Sequence, residues 1–239
     1  MQYAMGIAAF LTFAVALSIM YFILRKYTYP AVEEPFFSDP MLFKLFAIGL
    51  VEGTVLFVVY TYLSWGNMLV AILFGVILEI VKMVTLNLKK FHGLSDSIFY
   101  GFGLGLGIGT AMAFGMAYFL TAKIDVDALS WVIVIVLVLQ QIFLNAGTGT
   151  IIGEGIARYK PWEFFVKALL INVAYQLLMV PTYLSLYGSS FDYYASYVTM
   201  GIALILAITC FYRTTCVNLP GVVRDVLKMQ GKKRDDIPE

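Results

Sequence analysis

The stretch DSIFYGFGLGLGIGTAMAFGMAYFLT, residues 96–121, decides the fold class of this chain. After Asp96 it holds no charged residue, and it exceeds the roughly 20 apolar residues that a helix needs to cross a bilayer. Glycine recurs at every second position from Gly101 to Gly109, and Gly101, Gly105 and Gly109 leave one helix face nearly bare. Bare faces of this kind let neighbouring membrane helices approach closely. The stretch therefore predicts a spanning helix with tightly packed neighbours.

Six further apolar runs surround this stretch, near residues 4–24, 41–64, 67–88, 128–157, 162–187 and 192–212. The composition agrees, because 61% of the residues are hydrophobic, only 13% are charged and the mean hydropathy is +0.87, outside the range of soluble domains. We expect an all-α membrane protein, a seven-transmembrane helix bundle over residues 1–212. A cytoplasmic tail follows at 213–239, whose first half favours either a short interfacial helix or a solvated end.

The basic residues predict the orientation of the bundle. One side of the membrane holds twelve of them, in the first, third and fifth loops and the tail, and the other side holds only Lys123. The twelve are Arg25, Lys26, Lys89, Lys90, Arg158, Lys160, Arg213, Arg224, Lys228, Lys232, Lys233 and Arg234. By the positive-inside rule the N-terminus lies outside and the C-terminus inside, as in the plasma membrane of a prokaryote. Basic residues spread over loops in this way do not predict nucleic-acid binding.

Four ionisable residues fall inside the predicted spans: Glu52, Glu79, Lys82 and Glu154. Each costs roughly 2.5–3.5 kcal/mol to insert, so each needs a partner, a watery cavity or a function. Glu79 and Lys82 are three residues apart and share one helix face, which favours a buried ion pair. Glu154 is one turn from Arg158, which favours a salt bridge at the membrane border. Glu52 is either protonated or paired with Lys82 across helices.

Uncharged polar residues and the few metal-ligand types complete the candidates. Asn145 and Asn172 lie within spans, where an amide needs a hydrogen-bond partner, so interhelical bonds are their simplest role. His92 is the only histidine, and Cys210 and Cys216 lack the spacing of a zinc site. We therefore predict no metal and no cofactor.

Four segments carry a resemblance to a known family: LEIVK at 78–82, the glycine run from Ser95, NAGTGTIIGEGIARYK at 145–160 and LLINVAYQLL at 169–178. In this order the chain resembles the PrsW and YhfC group of glutamic intramembrane proteases over about residues 68–180. That group is similar to the seven-span anterior-pharynx-defective subunit of gamma-secretase. The resemblance implies the same N-out and C-in topology as the basic residues do.

The resemblance assigns family positions to residues of this chain. The family's third-span glutamate pair falls on Leu78 and Glu79, and its basic residue three positions later falls on Lys82. Of the two carboxylates only Glu79 is present. The fourth-span glutamate falls on Met112 under a PrsW-like alignment or on Thr110 under a YhfC-like one. None of the replacements can act as an acid or base.

The family's histidines are replaced as well. The resemblance places a fourth-span histidine on Leu106 and the later histidines on Asn145 and Asn172. Hydrolysis needs an activated water and a proton donor, usually two groups with separated pKa values. Because Glu79 is the only carboxylate of the family's set that is retained, the resemblance implies a pseudoenzyme that keeps the protease-like bundle.

Three functions follow as hypotheses. The first is a catalytically inactive scaffold or substrate-binding subunit that docks a partner helix within the bilayer. The second is an active intramembrane peptidase that uses Glu79 with Glu52 or Glu154. The third is a small transporter or channel whose route the four intramembrane ionisable residues line. The first is the function we expect, with a membrane-protein partner or a substrate helix.

Overall fold

A computed structural model describes residues 2–63, 67–123, 128–186 and 193–232 of the chain. Seven long helices dominate it: α1 Gln2–Leu24, α2 Asp39–Tyr62, α3 Met68–Leu86, α4 Ser97–Lys123, α5 Ala128–Ala157, α6 Pro161–Leu186 and α7 Tyr193–Phe211. Each predicted span matches one of them to within two residues at either end. All seven are long and apolar enough to cross a membrane, so the protein is an all-α, integral multi-pass membrane protein and the predicted fold class is confirmed.

α4 lies at the centre of the bundle because its glycines admit helices on two sides. A Cβ atom on Gly101 would overlap the carbonyl oxygen of Gly149, and one on Gly109 would lie 2.7 Å from that of Gln141, both on α5. A Cβ atom on Gly107 would overlap the carbonyl oxygen of Phe46 on α2. The alternate glycines therefore serve opposite faces, one against α5 and the other against α2. The remaining long helices pack around this core, with α3 against α5 and α6.

Several contacts hold the loops at one end of the bundle together. Gly93, between α3 and α4, donates its backbone N–H to the carbonyl of Ile156 near the end of α5. Tyr27, after α1, packs its ring edge-on against Phe99 at the start of α4, with centroids 5.0 Å apart. The loops after α1, α3 and α5 and the segment after α7 thus share one end, called here the basic end because each carries basic residues.

The chain stays helical beyond α7. A wider π-helical segment, Tyr212–Asn218, leads into α8, Leu219–Met229. α8 buries an apolar face that includes Val223 and Val226. The side-chain amide of Gln230 then donates to the carbonyl of Gly93 over 2.6 Å. Residues 219–229 are therefore a helix docked on the basic end. Lys233 and Arg234 lie outside the described residues, and the interfacial location of the tail stays a prediction.

Candidate functional site

The predicted pair Glu79 and Lys82 lies inside the bundle, on the face of α3 that meets α5 and α6. Lys82 Nζ lies 2.7 Å from Glu79 Oε1, and both side chains have 0% exposure. Nζ also donates to Thr148 Oγ1 of α5 over 2.7 Å. Asn172 Nδ2 of α6 donates to the same carboxylate oxygen, Glu79 Oε1. The expected buried ion pair is present, and it ties three helices together.

The burial of this pair decides what it contributes to the fold. A buried charge is costly unless it is paired and its remaining hydrogen-bonding groups are satisfied. Here each charge neutralises the other, and Thr148 and Asn172 add one neutral bond to each. Removal of one charge would leave the other buried and unpaired, which costs about 3–5 kcal/mol, whereas loss of both is tolerated far better.

Further buried amides extend the pair into a hydrogen-bonded network. Gln176 Nε2 donates to Asn172 Oδ1 over 3.3 Å. On the α5 side, Thr148 Oγ1 donates to the backbone carbonyl of Asn145 over 3.5 Å. Asn145 Nδ2 donates to Gln141 Oε1 over 3.3 Å, and Gln141 Nε2 donates to the hydroxyl of Tyr175 over the same distance. We call the buried residues of this network the polar core: Glu79, Lys82, Gln140, Gln141, Asn145, Thr148, Asn172, Tyr175 and Gln176.

The polar core reaches α7 as well. The hydroxyl of Tyr175 donates to Gln140 Oε1 over 3.1 Å, and Gln140 Nε2 donates to the backbone carbonyl of Met200 on α7 over 2.8 Å. Four helices, α3, α5, α6 and α7, are therefore joined through side-chain hydrogen bonds. In an apolar surrounding such bonds add specificity, because the alternative is an unsatisfied polar group.

Helical spacing explains why these residues meet. Gln141, Asn145 and Thr148 are four and three residues apart on α5, so they form one polar stripe. Gly75, one turn before Glu79, brings α3 against α6, since a Cβ atom there would lie 3.3 Å from the Cα atom of Val173. The stripe and the close approach place α5 and α6 beside the ion pair.

Three buried acceptor atoms of the polar core have no hydrogen-bond partner in the described part of the chain: Glu79 Oε2, Asn145 Oδ1 and Gln176 Oε1. All three are oxygens, so each requires a donor. A water molecule is stable in such a place when two to four polar groups surround it. These three oxygens are therefore the acceptors of the polar core that remain for a buried water molecule or another hydrogen-bond donor.

The family positions do not all join the polar core. Asn145 and Asn172 belong to it, together with Glu79 and Lys82. Thr110 Oγ1 instead donates to the carbonyl of Leu106 on its own helix over 2.7 Å. Leu78 and Met112 are buried members of the apolar core. The structure thus gathers four of the residues at family positions and leaves those on α4 outside the hydrogen-bonded network.

Glu52 and Glu154 have partners of their own. Thr85 Oγ1 of α3 donates to Glu52 Oε1 over 2.6 Å, and no ion pair within 4 Å joins Glu52 to Lys82, both of which are described. Of the two alternatives for Glu52, the pairing with Lys82 across helices is therefore wrong, because Lys82 Nζ is held by Glu79 and Thr148. Glu154 Oε1 lies 3.0 Å from Arg158 Nε, which confirms the predicted salt bridge.

Gln140, Gln141 and Thr148 were not singled out by the sequence. Gln141 and Thr148 could have been found from the polar stripe that they form with Asn145. Gln140 could have been found as a polar residue that interrupts an apolar run. Among the described residues no group of three or more His, Cys, Asp and Glu side chains lies together as a metal site would require.

Fold and site together define a seven-helix membrane protein with a neutralised ion pair at the meeting point of three helices. No family model, no curated protein and no solved structure matches this chain.

Proposed function

We propose that this chain is a non-catalytic, protease-like membrane protein that acts as a scaffold or as the partner- or substrate-binding subunit of a membrane complex. The observation that supports it is the engagement of Glu79, whose oxygen Oε1 is held by Lys82 and Asn172 inside the bundle. A carboxylate neutralised in this way contributes to helix packing. The proposal includes an N-terminus outside and the basic end in the cytoplasm of a prokaryote, which the twelve-to-one distribution of basic residues supports.

The chemistry of the neighbouring residues supports the same proposal. General acid–base hydrolysis needs a second titratable group that can exchange a proton with substrate or water. The residues that hydrogen-bond to the Glu79 and Lys82 pair are Thr148 and Asn172, a hydroxyl and an amide. Neither changes its protonation state near neutral pH. Both instead stabilise a fixed, hydrogen-bonded contact between helices.

A partner would dock on the outer surface where α2 meets α3. The glycine faces of α4 are occupied by α2 and α5, so the face that the sequence offered for docking is already used within the chain. Glu52 is half-buried at this surface, and its Oε2, which is itself enclosed, has no hydrogen-bond partner in the described part of the chain. Exposed Val51, Val55 and Val84 surround it with apolar surface. A partner helix that carries a hydrogen-bond donor would satisfy this carboxyl group within the bilayer once the Glu52 side chain turns toward it.

Purification from native membranes tests the proposal. The tagged protein would be isolated in a mild detergent and the co-purifying proteins quantified by mass spectrometry. We expect one membrane protein near one-to-one stoichiometry, retained by Glu79→Gln/Lys82→Met, which removes both buried charges. Isolation of the chain alone, or loss of the partner with this double variant, would contradict the scaffold function.

An active peptidase is the second candidate, and one observation favours it. Glu79 Oε2 is a buried acceptor without a partner in the described residues, so it could hold a water molecule beside the only carboxylate of the polar core. The same double variant distinguishes the two candidates. A peptidase would lose cleavage of transmembrane substrates in reconstituted vesicles, whereas a scaffold has no such activity to lose.

A further inference from the structure

A cavity of about 400 Å³ opens between α5, α6 and the π-helical segment after α7, near the basic end. α6 and α7 are joined further along, where the hydroxyl of Ser196 donates to the carbonyl of Pro181 over 3.1 Å. Towards the basic end the cavity separates the two helices. Its lining includes Glu154, Phe164, Lys167, Ile171, Arg213 and Asn218.

The polar part of the cavity carries excess positive charge. Glu154 and Asp225 share Arg158, each at 3.0 Å, and Glu163 lies 3.9 Å from Lys160 and 2.7 Å from Lys167, so these six charges balance. Arg213 has no carboxylate within 4 Å among the described residues, so its guanidinium leaves one net positive charge. Asn218 likewise makes no side-chain cap with α8. The wall formed by the π-helical segment therefore presents the Arg213 and Asn218 side chains, whose donors make no hydrogen bond within the described residues.

The apolar part lies beside these donors. Phe164 and Ile171 of α6 line it, and Lys167 Nζ lies 4.2 Å from the centroid of the Phe164 ring. Lys167 is six residues into α6, which corresponds to about 9 Å along the helix axis. Charged donors beside apolar wall, at the level where a span meets the interface, match the two halves of a membrane amphiphile.

We propose that this cavity binds a phosphate group carried by an anionic phospholipid, with the phosphate at Arg213 and Lys167 and an acyl chain along Phe164 and Ile171. Arginine binds phosphate through two parallel N–H groups, which gives both affinity and orientation. Glu154 does not prevent this, because the paired charges around it balance and Arg213 adds one positive charge in excess. The apolar wall favours a lipid over a free phosphate ion as the source of the phosphate.

The test compares two variants with the same loss of charge. Arg213→Gln/Lys167→Gln removes the two cations of the cavity. Lys44→Gln/Arg224→Gln is the control, because Lys44 lies five residues into α2, at a depth like that of Lys167, and neither control residue lines the cavity. Each purified protein would be titrated with phosphatidylglycerol in detergent, and bound lipid would be counted by native mass spectrometry. Phosphatidylcholine and inorganic phosphate serve as separate probes.

We expect the unchanged protein and the control to retain phosphatidylglycerol and the cavity variant to bind it at least tenfold more weakly. Phosphatidylcholine should bind weakly to all three. A lipid source predicts that millimolar inorganic phosphate does not displace phosphatidylglycerol and that Ile171→Trp, which fills the apolar part, weakens the lipid. Displacement by inorganic phosphate would assign the site to a soluble phosphate. Equal retention by the cavity variant and the control would overturn the proposal.

Discussion

Asn172 of α6 donates its side-chain N–H to the same carboxylate oxygen of Glu79 that receives the ammonium group of Lys82. Two donors from different helices thus meet at one buried atom. The joint links α3 to α6 directly and to α5 through Thr148. Its geometry explains why a costly pair of charges is accommodated in an apolar bundle, and it makes the pair a sensitive point for stability.

Removal of one buried charge should cost more stability than removal of both. Glu79→Gln leaves Lys82 charged and unpaired, so we expect the free energy of unfolding to fall by about 3–5 kcal/mol. Glu79→Gln/Lys82→Met removes both charges at similar volume and should cost clearly less. Reversible unfolding in mixed micelles of mild detergent and dodecyl sulfate measures both. Equal losses in the two variants would refute the ion pair as the source of the effect.

The glycines of α4 should be far less replaceable than glycines that face open space. A Cβ atom on Gly105 would overlap the carbonyl oxygen of Asn145, so Gly105→Ala must push α4 away from α5. We expect a loss of about 1–3 kcal/mol, as for other overpacked sites. Gly201→Ala on α7 is the matched control, because nothing lies within 4 Å of its Cβ position. There the change should be neutral or stabilising by about 0.5–1 kcal/mol, measured by the same unfolding assay.

Substitution of Glu52 should affect partner binding more than stability. Glu52→Leu removes the carboxyl group at the surface where α2 meets α3, whereas Glu52→Gln keeps polar atoms of nearly the same shape. We expect co-purification of the partner to fall at least fivefold with leucine and to persist with glutamine. Quantitative mass spectrometry of both preparations is the measurement, and thermal stability in detergent is its control. Undiminished partner recovery with Glu52→Leu would rule out docking at this surface.

Docking of α8 should depend on its apolar face and hardly on its exposed ion pair. Val223 has 0% exposure, so Val223→Asn places an amide in apolar contacts and should release the helix. Asp225→Asn breaks the exposed bridge in which Asp225 Oδ2 lies 3.0 Å from Arg158 Nη2. Such bridges contribute only about 0–1 kcal/mol. We expect trypsin to cut after Lys228 much faster in the first variant than in the second. Equal cleavage rates would contradict the docking.

The proposed orientation in the membrane can be tested by chemical labelling of a native cysteine. Cys216 is exposed near the basic end, whereas Cys210 is buried. With the basic end in the cytoplasm, an impermeant maleimide should label the protein in inverted vesicles and not in intact bacterial cells. Cys216→Ser should abolish the signal, which controls for reaction at Cys210. Labelling of intact cells would place the basic end outside.

The helices and their ends could be read from the sequence because the bilayer imposes one length and one composition on every span. The run from Ser97 and the polar break at Arg158 mark their helices without any knowledge of neighbours. The i,i+3 spacing likewise sufficed for the pair of Glu79 and Lys82, since both partners lie on one helix. The bridge from Glu154 to Arg158 was predictable for the same reason.

Partners on different helices could not be obtained in that way. The sequence left Glu52 either protonated or paired with Lys82, and only the packing of α2 against α3 shows that Thr85 is its partner. The glycines of α4 could equally have served a foreign helix, yet α2 and α5 occupy both faces. The cavity at Arg213 has no sequence signature, because three separate helices form it.

By itself the sequence determined the class of protein, the seven helices and the contacts within each helix, because these follow from hydropathy and from the fixed period of 3.6 residues per turn. The tertiary structure alone decided which polar side chains meet, which glycine faces are used and where space remains. Those outcomes depend on how helices are rotated and ordered around α4. A rotation by one residue, about 100°, exchanges the faces that every helix presents to its neighbours.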